Sequence, residues 1–65
     1  MKRDGLREAR KELGLNQIEF AKVLELHVDT VRSLEYGRVN PSATVLLKIC
    51  KLTGKEPQLL FPDII

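Results

Sequence analysis

Apolar side chains recur along this chain three and four residues apart, with polar residues between them. That spacing is the signature of helices packed through one face. No window alternates with period two over a useful length, apart from the ambiguous run Val28–Leu34. Leu6, Ala9 and Leu13 predict a first helix from about Arg3 to Leu13, stopping at Gly14, where glycine takes the left-handed C′ conformation at little cost. Asn16 followed by Gln17, with Glu19 three residues after Asn16, is an N-cap signal for a second helix from Gln17 to about Leu24. Phe20, Ala21 and Leu24 share its inner face, and Ala21 has the small size that two helices crossing at a wide angle need. Glu25–Leu26 is the expected turn. His27 or Val28 then opens a third helix that ends near Tyr36, with Val31 and Leu34 inward and Gly37 as its stop. Residues 38–41 read as a loop, since the residue before Pro41 avoids the helical region. Ser42 caps a fourth helix, Ala43 to about Thr53, with Leu46, Ile49, Cys50 and Thr53 inward and Gly54 at its end. Pro57 opens a short fifth helix, Pro57–Phe61, which Pro62 stops. The expectation is an all-α fold, a compact bundle of five helices forming one domain over residues 1–65.

Size and composition narrow the chemistry. At 65 residues the chain sits near the lower limit for folding without a staple. Its one cysteine, Cys50, excludes an internal disulfide, and no Cys/His cluster is spaced for zinc. His27 has no second ligand near it in sequence, so no metal or other cofactor is expected. The start is charged and periodic, unlike a signal peptide, and no run approaches the roughly 20 apolar residues that span a bilayer. A reduced, cytoplasmic setting without a membrane partner is the expectation. No paired carboxylates, glycine-rich phosphate loop or nucleophile–base set is present; Ser33 and His27, six residues apart, cannot form a catalytic pair. An enzyme is therefore not expected, and no room is left for a domain that senses a small-molecule ligand.

The net charge of +2 and the pI near 8.9 lean mildly towards polyanions and alone identify nothing. The distribution is uneven: Lys2, Arg3, Arg7, Arg10 and Lys11 stand against Asp4 and Glu8 in the first eleven residues. Such a basic end suits a phosphate backbone, and equally a solvated helix face laced with ion pairs.

Leu15, Asn16, Gln17, Phe20, Ala21, Leu24, Leu26, Val31, Leu34, Glu35, Gly37 and Pro41-Ser42 match, in order and spacing, the pattern of the phage Cro/repressor-type (XRE-like) helix-turn-helix family. The chain resembles that family from about Leu6 to Phe61. The resemblance implies a lambda-repressor-like bundle with its helix-turn-helix core at 17–36, helix 4 at 43–53 and helix 5 at 57–61. It also implies a sequence-specific regulator of transcription that binds a double-stranded DNA operator. Two positions depart from the pattern. Glu25 stands where the family usually has a left-handed glycine, at a backbone cost of order 1 kcal/mol. His27 stands where Ser or Thr usually opens helix 3, which leaves that start open to fraying or to a shift of one residue.

A recognition helix places its N-terminal side chains against base edges in the major groove. By resemblance the base readers are His27, Val28 and Asp29, with Arg32 and Ser33 one turn further. Asp29 can accept from a cytosine amine, Val28 can pack on a thymine methyl, His27 can donate to guanine or phosphate, and Arg32 or Ser33 can contact guanine. Val28 equally fits the core beside Val31, and Asp29 equally stabilises the helix dipole. Gln17, by resemblance, contacts phosphate; Arg38, Asn40 and Ser42 are candidates for the same strand, although a solvated charge, a turn and a cap account for them as well. By resemblance, too, Arg10 and Glu35 form an ion pair tying helix 1 to the end of helix 3. Val45, Leu47, Leu52, Leu59, Ile64 and Ile65 remain after the core is filled. They suggest a homodimer through helices 4 and 5 and the tail, setting two recognition helices about 34 Å apart on a pseudo-palindromic operator; several of them thickening the core is the other reading. The reading as a whole is a dimeric repressor. The alternative is a protein-interaction module, antitoxin- or adaptor-like, that keeps the fold without reading DNA. Gln17, Arg32 and Arg38 argue against it, and the weak net charge leaves it open.

Overall fold

The structure is a computed structural model that describes residues 2–65. Five helices follow one another: α1 (Asp4–Glu12), α2 (Gln17–Leu24), α3 (Val28–Glu35), α4 (Ala43–Thr53) and α5 (Pro57–Leu60). No strand occurs among the described residues. The starts and stops have local causes. Asn16 Oδ1 accepts from the Glu19 N–H at 2.7 Å while Glu19 Oε1 accepts from the Asn16 N–H at 2.9 Å, a reciprocal capping box at the head of α2. Ser42 Oγ accepts from the Val45 N–H at 3.2 Å and opens α4. Gly14, Gly37 and Gly54 all have positive φ.

Leu6, Ala9, Phe20, Ala21, Leu24, Val31, Leu34, Ile49, Leu60 and Phe61 form the buried core, drawn from all five helical segments and the residue after α5. Ala21 is buried on the inner face of α2. Gly5, which the periodicity left unremarked, lets α1 pass against the C-terminal helix: a Cβ there would overlap the carbonyl oxygen of Leu59. Leu13 departs from expectation. α1 ends at Glu12, the Leu13 and Gly14 N–H groups turn back onto Arg10 and Lys11, and Leu13 swings off the apolar stripe to 38% exposure. Leu15 packs on the core instead. α3 ends at Glu35 with Tyr36 as its C-cap, as expected, and Tyr36 is exposed. α5 ends at Leu60, with Phe61 buried as its C-cap. In α4 only Ile49 is buried; Leu46, Cys50 and Thr53 are half-buried, and burial raises the pKa of the Cys50 thiol.

The basic end of the chain is reorganised by burial. Arg3 is 1% exposed and spends every side-chain donor inside the protein. Its Nε and Nη2 grip both carboxylate oxygens of Asp63 at 2.9 Å, and Nη1 donates to the carbonyls of Leu34 at 2.8 Å and Val39 at 2.7 Å. Nη2 also reaches Asn40 Oδ1 at 3.0 Å, and the guanidinium lies 5.1 Å from the centroid of the Phe61 ring. Its backbone N–H adds a bond to the Glu35 carbonyl at 2.7 Å. Arg10 is buried as well, so the exposed cations of this end are Lys2, Arg7 and Lys11.

The Arg3 hydrogen bonds and charge hold the Asp63 carboxyl below its ordinary pKa. A lowered folded pKa contributes stability that is present above the unfolded value of about 3.9 and is lost as pH falls through the folded value. Asp63→Asn should therefore lower the urea midpoint at neutral pH, and the gap to wild type should narrow from about pH 4 downwards. A gap that stays constant through acid would show that Arg3 does not hold this carboxylate.

Candidate nucleic-acid interface

Between α2 and α3 the chain reverses in three residues. Glu25 adopts φ 59 and ψ 41, the left-handed conformation, and its N–H bonds to Lys22 O at 3.1 Å while that of Leu26 bonds to Ala21 O at 2.8 Å. These bonds close the helix end as a glycine would, with a Cβ penalty of about 1 kcal/mol added. Leu26 packs on the core and His27 follows in extended backbone. Its Nδ1 accepts from the Asp29 N–H at 3.1 Å, so the imidazole acts as the N-cap and α3 starts at Val28. The frayed or shifted start does not occur. The same Nδ1 lies 3.5 Å from Asp29 Oδ2, so the ring is held from its Nδ1 side.

The first turns of α3 present His27, Asp29 and Arg32 to solvent, with Ser33 half-buried beside them. Thr30, passed over in the sequence, is exposed in the same turn and is an equal candidate; its place one residue after Asp29 was the signal. Val28 is half-buried and packs on the core, so only part of its side chain faces outward.

These side chains are linked back into the protein. Asp29 Oδ1 accepts from Arg32 Nη1 at 3.2 Å, Arg32 Nε donates to Gln17 Oε1 at 3.4 Å, and Gln17 Nε2 donates to Glu35 Oε1 at 3.2 Å. Glu35 in turn accepts from Arg10 Nε at 2.6 Å and Nη2 at 3.3 Å, and Arg10 Nη1 caps the Leu15 carbonyl at 2.8 Å. The Arg10–Glu35 pair is buried, with side-chain exposures of 9% and 4%. The family pattern pointed to the Arg10–Glu35 pair; sequence reasoning missed that Gln17 and Arg32 link it to Asp29.

The remaining candidates separate. Arg38 is exposed, its guanidinium 5.5 Å from the Tyr36 ring centroid. Ser42 is the cap of α4, and Asn40 gives its side-chain oxygen to Arg3, which leaves its amide N–H₂ for other partners. Val45 and Leu52 pack partly on the core, whereas Leu47, Leu59, Ile64 and Ile65 are exposed. Ile18 and Val23 add exposed apolar surface on α2.

A family model described as helix-turn-helix, of the Cro/repressor (XRE-like) type, matches residues 6–60. The chain belongs to this helix-turn-helix family. The five helices have the lambda-repressor-like arrangement of such domains, with α2, the Glu25–Leu26 turn and α3 as the helix-turn-helix itself. The chain is 41% identical over 51 residues to an uncharacterized HTH-type transcriptional regulator of Methanothermobacter thermautotrophicus, covering 78% of this chain and 74% of that protein. It is 34% identical over 59 residues to a protein of the same description from Archaeoglobus fulgidus, covering 91% and 84%. No solved structure matches.

The left-handed Glu25 makes this helix-turn-helix slightly strained at its pivot. Glu25→Gly relieves the Cβ clash and adds chain entropy to the unfolded state. The net gain should be about 0.5 kcal/mol in urea unfolding. An unchanged or lower midpoint would mean that the Glu25 side chain already offsets the strain.

Proposed function

We propose that this helix-turn-helix protein is a sequence-specific double-stranded DNA-binding transcriptional regulator, a repressor that acts as a homodimer on a pseudo-palindromic operator. The observation that carries the reading is the contrast between the two ends of α3. Its C-terminal end is locked by the buried Arg10–Glu35 pair and by the Arg3 bond to the Leu34 carbonyl, while its first turns hold His27, Asp29, Thr30 and Arg32 outward beside the half-buried Ser33. The names of the two relatives support regulation of transcription. Repression would follow from occupancy, since a bound domain at an operator excludes polymerase.

In this reading Arg32 exchanges Asp29 and Gln17 for a guanine edge, and Asp29 accepts from a cytosine amine or excludes wrong registers by charge. His27 donates through Nε2, and the outward part of Val28 meets a thymine methyl. Gln17, Arg38, the amide of Asn40 and the Ser42 region position the strand through phosphates. Leu59, Ile64 and Ile65, with Leu47, supply the dimer surface; Val45 and Leu52 contribute their exposed edges.

Selection of random duplexes by the purified protein at near-physiological salt tests the reading. An enriched inverted repeat with half-sites one helical turn apart is the expected result; background binding alone would favour a protein-interaction module. On the selected site Asp29→Ala and Arg32→Ala should change which base is preferred, by about 1–3 kcal/mol at the affected position. Arg38→Ala should weaken all duplexes alike and reduce the salt slope by about 0.9. Unchanged preference in the first two variants would move base reading to His27, Val28 and Thr30. Ile64→Glu should give a folded monomer with weakened operator binding, seen by sedimentation; a variant that stays dimeric would place the interface elsewhere.

A further inference from the structure

A cleft of about 320 Å³ runs along α1 and opens between it, the head of α2 and the end of α3. Its back wall is the Arg10–Glu35 pair, already matched in charge. The exposed rim carries Lys2, Arg7 and Lys11, opposed by Asp4 alone, and none of the three cations has a carboxylate partner among the described residues. Tyr36 forms one lip, with Lys2 Nζ 5.3 Å from its ring centroid. Gln17 forms another, its side chain already joined to Arg32.

We propose that this cleft is a further phosphate site, holding a backbone phosphate of the DNA strand beyond the half-site that α3 reads. The proposal rests on the DNA-binding reading above and adds a contact to it. Three unpaired cations around a polar recess, facing one carboxylate, recognise an anion with several acceptor oxygens; a phosphate is such a group. The duplex is its source because the cleft runs on from surface already assigned to the strand. Gln17 lies on both, and Tyr36 carries Lys2 and the phosphate candidate Arg38 together on its ring. Stacking on Tyr36 limits the motion of two long side chains before binding, which lowers the entropy lost when they meet the strand. The contact is blind to sequence and acts on affinity and salt dependence.

The test is the salt dependence of binding to the selected duplex and to an unrelated one, for wild type, Arg7→Ala/Lys11→Ala, Tyr36→Ala and the control Lys51→Ala, whose side chain lies on α4 away from the cleft. Both cleft residues are exposed, so circular dichroism should find the double variant folded. The double variant should lose affinity for both duplexes by about tenfold and lower the salt slope by roughly 0.9–1.8, leaving the preferred sequence unchanged. Tyr36→Ala should show a smaller loss in the same direction. A double variant with the slope and affinity of Lys51→Ala overturns the cleft while leaving the regulator reading intact. A wild type that prefers no duplex and has no salt-dependent binding overturns the regulator reading and the cleft with it. If pyrophosphate perturbs the cleft amides in NMR spectra while the DNA salt slope is untouched by the double variant, the occupant is a free phosphate and the assignment to DNA is wrong.

Discussion

Two buried guanidinium groups grip the last turn of α3, and the orientation of that helix depends on them. Arg10 holds the Glu35 carboxylate from α1, while Arg3 holds the Leu34 carbonyl and, through its backbone, the Glu35 carbonyl. The five side-chain hydrogen bonds of Arg3 use the full donor capacity of its guanidinium. Well-packed apolar residues in such places are often as stabilising as the ions, whereas removing one partner typically costs about 3–5 kcal/mol. What the pairs supply beyond stability is direction. A planar fork bonded to fixed acceptors tolerates little rotation of the helix that carries them.

The start of α3 is held differently. It follows a strained left-handed Glu25 and is capped by an exposed imidazole. The side-chain bonds along its outer face, from Asp29 to Arg32 and from Arg32 to Gln17, are 3.2 and 3.4 Å long and open to water. Bonds of that kind contribute about 0–1 kcal/mol each, so a nucleic-acid edge can displace them with little loss. A helix anchored at one end and adjustable at the other keeps its angle while its exposed side chains exchange partners.

The helices and their limits were legible because their causes are local. The Asn16–Glu19 box, the Ser42 cap, the three glycine stops and Pro57 each act within a few residues, and all stand where the pattern put them. Leu13 was misread because spacing counts apolar residues without knowing that the chain turns first. The Arg10–Glu35 pair was legible only through the family pattern. The Arg3–Asp63 clamp joins residues sixty positions apart, and nothing in either neighbourhood distinguishes those two side chains from other surface charges. The close pass of Gly5 under Leu59 is likewise a tertiary fact. Val45 and Leu52 show the limit of counting surplus apolar residues, since a half-buried side chain serves the core and the surface at once.

Gln17 joins the buried Glu35 to the exposed Arg32, and its chemistry explains why an amide suits the position. A glutamine side chain has two N–H donors and one carbonyl acceptor. One N–H goes to Glu35 and the carbonyl accepts from Arg32, which leaves one N–H for a further acceptor, a strand phosphate in the reading proposed above. A glutamate here would set a second negative charge against the Glu35 carboxylate and, in the proposed reading, repel the strand. A lysine would satisfy Glu35 and bind phosphate, but it has no acceptor for Arg32. Only a group with both donors and an acceptor can bond Glu35, restrain Arg32, the proposed base reader, and still keep a donor for the phosphate proposed above.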